Sequence, residues 1–461
     1  MAITSGQLKS TNLTVATSAA DYGVAPDQRR LYNFSDRIAE LAPEESPFFV
    51  YLSKTAKLPT DDSLFRYLED RTKINYTSRE FFIDGNVASS AQLTAGTDYS
   101  FTVEAAEGSS DSAGNVDWLV KGMVIAIRTL GDATGAAGYG NVIIRVESAP
   151  TQNAADTTFL GKVISVSSTA SNMDKVLDTQ RCQVIGSAFA EGSGSPDVFS
   201  DSLDDGFGYT QIFKTAAEIS NTAHATQLRG VSNEFDRVLA QKLREHKIDI
   251  ERAMLFNQKA RVDGVQYSEG LIGHIIKNST VVSDNTALSY TSGKAYFRTM
   301  QESELTYDRL LSDFEVVFDP ARGGSNERLA LASLPVMSYF NKMGAVSFSE
   351  NSTNGTQYRI NMDELSGQFG HKLMQLDTIH GTVYMVKEPL FRGHSSGMMA
   401  MADMSKVYYR PLVGNGINRD TQVMTNVQGA DEDLRKDMIL TEAGLEVCLP
   451  ESHYLINLEN V

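Results

Sequence analysis

From Gly230 to about Asn257 the chain carries an apolar stripe at helical spacing on an otherwise charged segment. No other stretch constrains the fold as strongly. Val231, Phe235, Val238, Leu239, Leu243, Ile250, Ala253 and Met254 recur mostly three, four or seven residues apart, which predicts one amphipathic helix over about 231–257. Ser232 stands near its start as an N-cap. The opposite face carries Glu234, Asp236, Arg237, Lys242, Arg244, Glu245, Lys247, Asp249, Glu251 and Arg252. At i,i+4 spacing Lys247 and Glu251 attract in the less favourable order, while Glu245 and Asp249 repel. Such a helix is not stable alone and must be held by whatever packs on it. Just before it, Tyr209-Thr210-Gln211-Ile212-Phe213 and Glu218-Ile219-Ser220-Asn221-Thr222 read as a polar, strand-like lead-in.

The rest of the chain predicts a mixed α+β protein. Residues 1–30 are rich in Ser, Thr, Ala and Gly without hydrophobic periodicity, as expected of an arm. A short helix is expected over Ser35–Leu41, after which Pro43 and Pro47 break the chain ahead of Phe48-Phe49-Val50-Tyr51-Leu52. Leu64–Leu68 and Tyr76–Phe82 interleave aromatics with charges, as in a strand or hairpin exposed on one side. Residues 87–170 turn rich in Gly, Ala, Ser, Thr and Asp, with short strand-like bursts at Trp118–Arg128, Val142–Val146 and Phe159–Val166. This pattern predicts a small β-barrel or sandwich inserted in a larger unit. Further on, a helix is expected over Thr306–Asp313, a buried strand over Phe314–Phe318 and a helix over Pro335–Met343. Polar turns follow near Asn351–Gly355. Strands are then expected at Leu373–Leu376, Thr382–Val386, Met398–Met401, Val407–Leu412 and Leu445–Leu449.

Chemistry is sparse. Gly393-His394-Ser395-Ser396-Gly397 fits the G-x-S-x-G nucleophile elbow, and Asp420 or Asp431 with His453 would complete a triad around Ser395 in the expected order. The alternating strand–helix pattern of that fold is missing, which favours a Gly/Ser hairpin loop. His224, His246, His274, His371, His380, His394 and His453 show no close metal-ligand spacing. Asp201-Ser202-Leu203-Asp204-Asp205-Gly206 lacks the alternating ligands and closing Glu of a calcium loop. Gly323-Gly324-Ser325 lacks the Lys-Ser/Thr of a phosphate loop. The expectation is therefore no enzyme, no cofactor, no metal and no catalytic residue. The two cysteines, Cys182 and Cys448, cannot build a disulfide framework or a cysteine-based zinc site, as suits a reducing compartment. Neither a signal peptide nor a membrane span is apparent, which predicts a soluble protein made in a cytoplasm. With 41 basic and 58 acidic residues the net charge is −17, which argues against general nucleic-acid affinity but suits a wall that encloses DNA without gripping it.

Set in order, these segments resemble the major capsid proteins of tailed phages, of the type with an extra β-domain inserted in the extended loop. The likeness is clearest over 209–275: Tyr209–Phe213, Ile219-Ser220-Asn221-Thr222, Gly230, Ile250-Glu251-Arg252-Ala253-Met254-Leu255 and Gly270-Leu271. Fainter echoes lie at Ala42-Pro43 to Pro47-Phe48, Glu191-Gly192, Tyr409-Arg410-Pro411-Leu412 and Glu442 to His453. The resemblance implies the Hong Kong 97-type fold, with an N-terminal arm at 1–50, an extended loop at 51–86 and 171–208, and the inserted domain at 87–170. A peripheral domain would take 209–284 and 376–461 around the spine helix, and an axial domain 285–375. It also implies hexamers and pentamers of the chain closing into a virion shell around DNA, with portal, scaffold and decoration proteins as further partners and no membrane. Another phage structural protein, or a serine hydrolase using Ser395, are the alternatives.

Overall fold

The computed structural model describes residues 47–70, 80–85, 87, 93–104, 114, 116–130, 139–152, 156–168, 180–198, 203–226, 233–283, 288, 294–319, 324–342, 361–366 and 372–459. The expected arm at 1–30, the helix at Ser35–Leu41, the strand text at 76–79 and the turns at 351–355 lie outside them. Chain contacts divide the described residues into two units. One holds Phe213–Asp249 and Thr421–Thr441; the other holds Ser46–Ile212, Ile250–Asp420 and Glu442–Val461.

In the larger unit, α1 (Pro47–Thr55) opens on the proline that was expected to break the chain. A proline suits the first helical position, where its missing N–H is not needed. Phe48, Phe49 and Leu52 bury one face of α1, and bridges at Lys57↔Tyr409 and Thr60↔Leu412 fix the chain beyond it. After β1 (Leu64–Glu69) come seven strands of one sheet: β2 (Glu80–Asp84), β3 (Asp98–Val103), β4 (Met123–Leu130), β5 (Tyr139–Val146), β6 (Thr151–Gln152), β7 (Thr157–Ser168) and β8 (Arg181–Ser187). Their order is β3-β2-β8-β4-β5-β7-β6, and pairing of β3 with β7 closes a small barrel. Alternate residues fill it, among them Ile83, Phe101, Val103, Ile125, Ile127, Val142, Ile144, Phe159 and Val163. Trp118 was expected in a strand. It sits in the turn before β4, edge-on to Phe81 at 6.2 Å.

The chain leaves the barrel through β9 (Asp204–Tyr209) and enters β10 (Gln211–Ser220). The smaller unit takes β10 from Phe213, then α2 (Asn221–Ala225) and the first half of α3 (Glu234–Phe256), the expected long helix. Ser220 Oγ caps α2 by accepting the Ala223 N–H at 3.3 Å. His246 on α3 is buried between the hydroxyls of Thr215 and Thr441, each at 2.9 Å. Burial lowers its pKa, partly countered by Asp249.

Back in the larger unit, the hairpin β11 (Ala260–Val262) and β12 (Val265–Tyr267) precedes α4 (Leu271–Lys277), β13 (Ser279–Ser283), β14 (Ala295–Gln301), α5 (Tyr307–Val317) and β15 (Glu327–Ala332). Then follow α6 (334–342), β16 (Asn361–Ser366), β17 (Lys372–Asp377), β18 (Thr382–Lys387) and β19 (Met398–Ala402). With β25 (Tyr454–Glu459) these strands form a mixed eight-stranded sheet, β13-β14-β25-β19-β15-β18-β17-β16. The strand expected at Phe314–Phe318 is instead the second half of α5. Leu310, Phe314 and Val317 recur at helical spacing and enter the core with Val336 and Phe340 of α6. Burial of that stripe outweighs the β propensity of Val316-Val317.

The last elements are β20 (Val407–Pro411), the small hairpin β21 (Val413–Gly414) and β22 (Ile417–Asn418), β23 (Gln422–Met424) and β24 (Leu434–Val447). In the smaller unit β23 pairs with the first half of β24, Gln422↔Leu440 to Met424↔Met438. In the larger unit β20 pairs with its second half, Val407↔Val447 to Pro411↔Ala443. The strand expected at Leu445–Leu449 thus starts earlier and ends at Val447, before Leu449 turns left-handed at φ 50.

Candidate assembly surface

Within the larger unit, β1 and β9 form a two-stranded antiparallel ribbon, Leu64↔Tyr209 to Glu69↔Asp204. Alternation gives it two faces of opposite character. On one, Phe65 and Tyr67 turn inward over Gly208 and Gly206, which have no side chains, and Glu69 follows on the same face opposite Asp204. A Cβ on Gly206 would stand 2.3 Å from the Tyr67 ring, and one on Gly208 2.4 Å from the Phe65 ring. Tyr67 Oη donates to the Val447 carbonyl at 3.2 Å, and Glu69 Oε1 accepts the Leu449 N–H at 2.7 Å. Arg410 pairs with Glu446 and lies 5.5 Å from the Phe65 ring centre. Burial, then the charges of Cys448 and Glu69, push the Tyr67 phenol far up, so it stays a neutral donor.

The other face carries Arg66, Leu68, Asp205 and Phe207. Leu68 is 66% exposed and Phe207 40%. Arg66 and Asp205 pair across the strands at 3.0 Å but remain in solvent. Lys259 braces this face by donating to the Phe207 carbonyl at 2.7 Å and stacking 4.1 Å from its ring centre. Lys259 also faces Glu269 at 3.4 Å. Burial raises the Glu269 carboxyl, but the hydrogen bond from His274 and the charges of His274, Lys259 and Lys277 overcome it and hold it below the usual range.

Lys259 opens the β11–β12 hairpin, whose turn residues Asp263 and Gly264 both have positive φ, at 51° and 77°. Aspartate and glycine tolerate that region, and such turns match the twist of a hairpin. Val262 and Val265 are 56% and 52% exposed beside it. Sequence reasoning found the strand at Leu64–Leu68 but not the apolar outer face. Its signal was the alternation of Leu64, Arg66 and Leu68, which gains meaning only once β9 is known to pair there.

The triad suggested around Ser395 is not brought together. Ser395 closes a 3-10 turn, Gly393–Ser395, at the lip of β19. His453 is fully buried with both ring nitrogens engaged: Nδ1 accepts the Asp403 N–H at 3.3 Å and Nε2 faces the Cys448 carbonyl at 3.1 Å. Asp420 pairs with Lys57 and accepts from Tyr409 Oη at 3.0 Å. Asp431 is exposed in the turn before β24. Among the described residues no three His, Cys, Asp or Glu side chains converge as metal ligands. His371, Asp201, Ser202 and Gly323 lie outside those residues. Among the described residues no helix is long and apolar enough to cross a membrane.

Compared with known families, residues 8–460 match the model of the SU10 major capsid protein. The chain belongs to the SU10 major capsid protein family. No curated protein sequence matches significantly. Among solved structures, the capsid asymmetric unit of cyanophage A-1(L) aligns at 10% identity and a TM-score of 0.41, covering 59% of this chain and 84% of that one. The mature capsid of bacteriophage PhiM1 aligns at 11% and 0.40, covering 60% and 80%. The holo-SrpI encapsulin complex from Synechococcus elongatus PCC 7942 aligns at 11% and 0.35, covering 56% and 76%. The family assignment rests on the match along residues 8–460 of this chain, not on these superpositions.

Proposed function

We propose that this capsid protein builds the icosahedral shell of a tailed double-stranded DNA bacteriophage, closing as hexamers and pentamers around the genome. The observation that carries the reading is the two-faced β1–β9 ribbon. Its inner face is finished with glycines, rings and hydrogen bonds. Its outer face leaves Leu68 and Phe207 in water, where a lone soluble chain gains nothing from them. Covering them with another copy removes apolar surface worth about 25 cal/mol per Å². One sequence that closes into rings of five and of six needs heterologous contacts whose angle can vary, and a thin ribbon supplies that freedom.

On this reading the Hong Kong 97-type plan applies, with the arm at 1–50, extended loop at 51–86 and 171–208, insertion at 87–170, peripheral domain at 209–284 and 376–461, and axial domain at 285–375. Portal, scaffold and decoration proteins are its expected partners, and the virion is its location after synthesis in the host cytoplasm. The net charge of −17 fits an enclosing wall. Electron microscopy of the protein expressed alone and with its neighbouring genes tests the proposal. Closed icosahedral particles are the expected result. Only tails or rods, or decoration of another protein's shell, would instead make it a different structural component. Hydrolysis of an ester substrate that Ser395→Ala abolishes would restore the enzyme reading.

A further inference from the structure

The C-terminal half of α3 buries Ile250, Met254 and Leu255, and in the middle of that apolar face stands Glu251 with no exposed surface. A buried carboxylate ordinarily has a cation beside it. Here the ionisable group acting on it is a second carboxyl, Glu388, which is 1% exposed just beyond β18 and hydrogen-bonds to it. The remaining oxygens hold backbone. Glu251 Oε1 accepts the Phe48 N–H at 2.8 Å, and Phe49 N–H bonds to the same carboxyl. Glu388 Oε1 accepts the Leu390 N–H at 3.1 Å. Within four residues of either carboxyl, the other ionisable groups are Lys247, Asp249 and Arg252 on α3 and Tyr384, Lys387 and Arg392 around Glu388; Tyr51 stands on α1. Both arginines are exposed, and Tyr51 and Lys387 are half-buried.

Two carboxyls in hydrogen-bond contact out of water can share one proton but cannot both ionise without strong repulsion. With that proton in place, the pair offers at most one negative charge to the N-terminus of α1. The first-turn N–H groups and the helix dipole favour one such charge. Without it, two buried like charges face each other beside the carboxyl that accepts the Phe48 N–H. We propose that Glu251 and Glu388 form a one-proton latch that holds α1 on the C-terminal half of α3. Burial first, then the Glu388 charge, raises the Glu251 carboxyl to about 9. The latch is therefore closed at neutral pH and opens in alkali. It is a property of the single chain and does not depend on shell formation.

Limited proteolysis of the full-length protein with an enzyme active from pH 7.5 to 10.5, mapped by mass spectrometry, tests the latch. In the wild type, cleavage within 47–57 should rise at least tenfold relative to Glu388→Gln as the pH goes from 7.5 to 10.5, because the glutamine removes the repulsion. Glu251→Ala, which deletes the acceptor of the Phe48 N–H, should be cut there already at pH 7.5. Wild-type resistance at pH 10.5 overturns the proposal without reference to any variant. So does equal cleavage of wild type and Glu388→Gln, or cutting that spreads at the same rate into 233–256, since the latch frees α1 alone.

Discussion

Phe65 reaches Gly208 with the tip of its ring, so that a Cβ there would stand 2.4 Å from it, and a Cβ on Gly444 would stand 2.8 Å from the same ring. The ribbon is seated by an aromatic ring held between two positions without side chains. Gly208→Ala or Gly444→Ala must push the ring or the strand aside. Each is expected to destabilise by about 1–3 kcal/mol, the usual range for overpacking. Gly194→Ala, where nothing lies within 4 Å, should be neutral. Thermal melts of the three variants against wild type check this; an unchanged melt for Gly208→Ala would contradict it.

A second prediction concerns the core of the eight-stranded sheet. Arg298 on β14 and Asp313 on α5 are fully buried and bidentate, with Arg298 Nη2 donating to Asp313 Oδ1 at 2.6 Å and Tyr454 Oη to Oδ2 at 2.7 Å. Asp313→Ala leaves the guanidinium buried without its counter-charge and should cost about 3–5 kcal/mol. Arg298→Met with Asp313→Leu removes both charges and should recover most of that loss. Denaturant titrations of the single and double variants give the comparison, and a double variant no better than Asp313→Ala would show that the pair itself carries the stability.

The sequence made some of this visible, for physical reasons. The long helix α3 was legible because Phe235, Ile250 and Met254 repeat at the helical period over 23 residues. The barrel was legible because Gly-rich turns punctuate its strands. The second half of α5 was misread because Glu315-Val316-Val317-Phe318 is β-like locally, and only the partners of Leu310 and Phe314 decide otherwise. Long-range placement was not legible. Nothing local says that Leu64 meets Tyr209, or that Phe48 finds Glu251 203 residues away. Glu251 read as one of the charges on the helix's solvent face, yet it belongs to the buried one.

His453 makes the fold sensitive to acid. A backbone N–H at Nδ1 and a carbonyl at Nε2 require the neutral tautomer with its proton on Nε2. Burial first, then the charge of His274, lowers its pKa to about 3, against an ordinary value near 6.5. The folded state therefore binds this proton less readily than the unfolded chain. The contribution is whole above pH 6.5 and is lost as the pH falls from there toward 3. The melting temperature should drop steeply across that window, and His453→Gln, though less stable at neutral pH, should show a shallower slope. Equal slopes would remove His453 as the cause.

The outer face of the ribbon separates folding from assembly. Leu68 and Phe207 touch solvent in the single chain, so Leu68→Asp with Phe207→Asp should leave the subunit's melting temperature within a few degrees of wild type. If those residues are covered by a neighbouring copy, the same change puts two charges into an apolar contact repeated at every subunit. Each buried unpaired charge costs several kcal/mol, and a shell that forms by many weak contacts does not survive it. Sedimentation and electron microscopy should find folded subunits or small rings and no closed particles. Normal shells from the doubly substituted protein would place the subunit contact elsewhere. The β11–β12 hairpin, with Val262 and Val265 exposed on its short strands, would then be the next surface to alter.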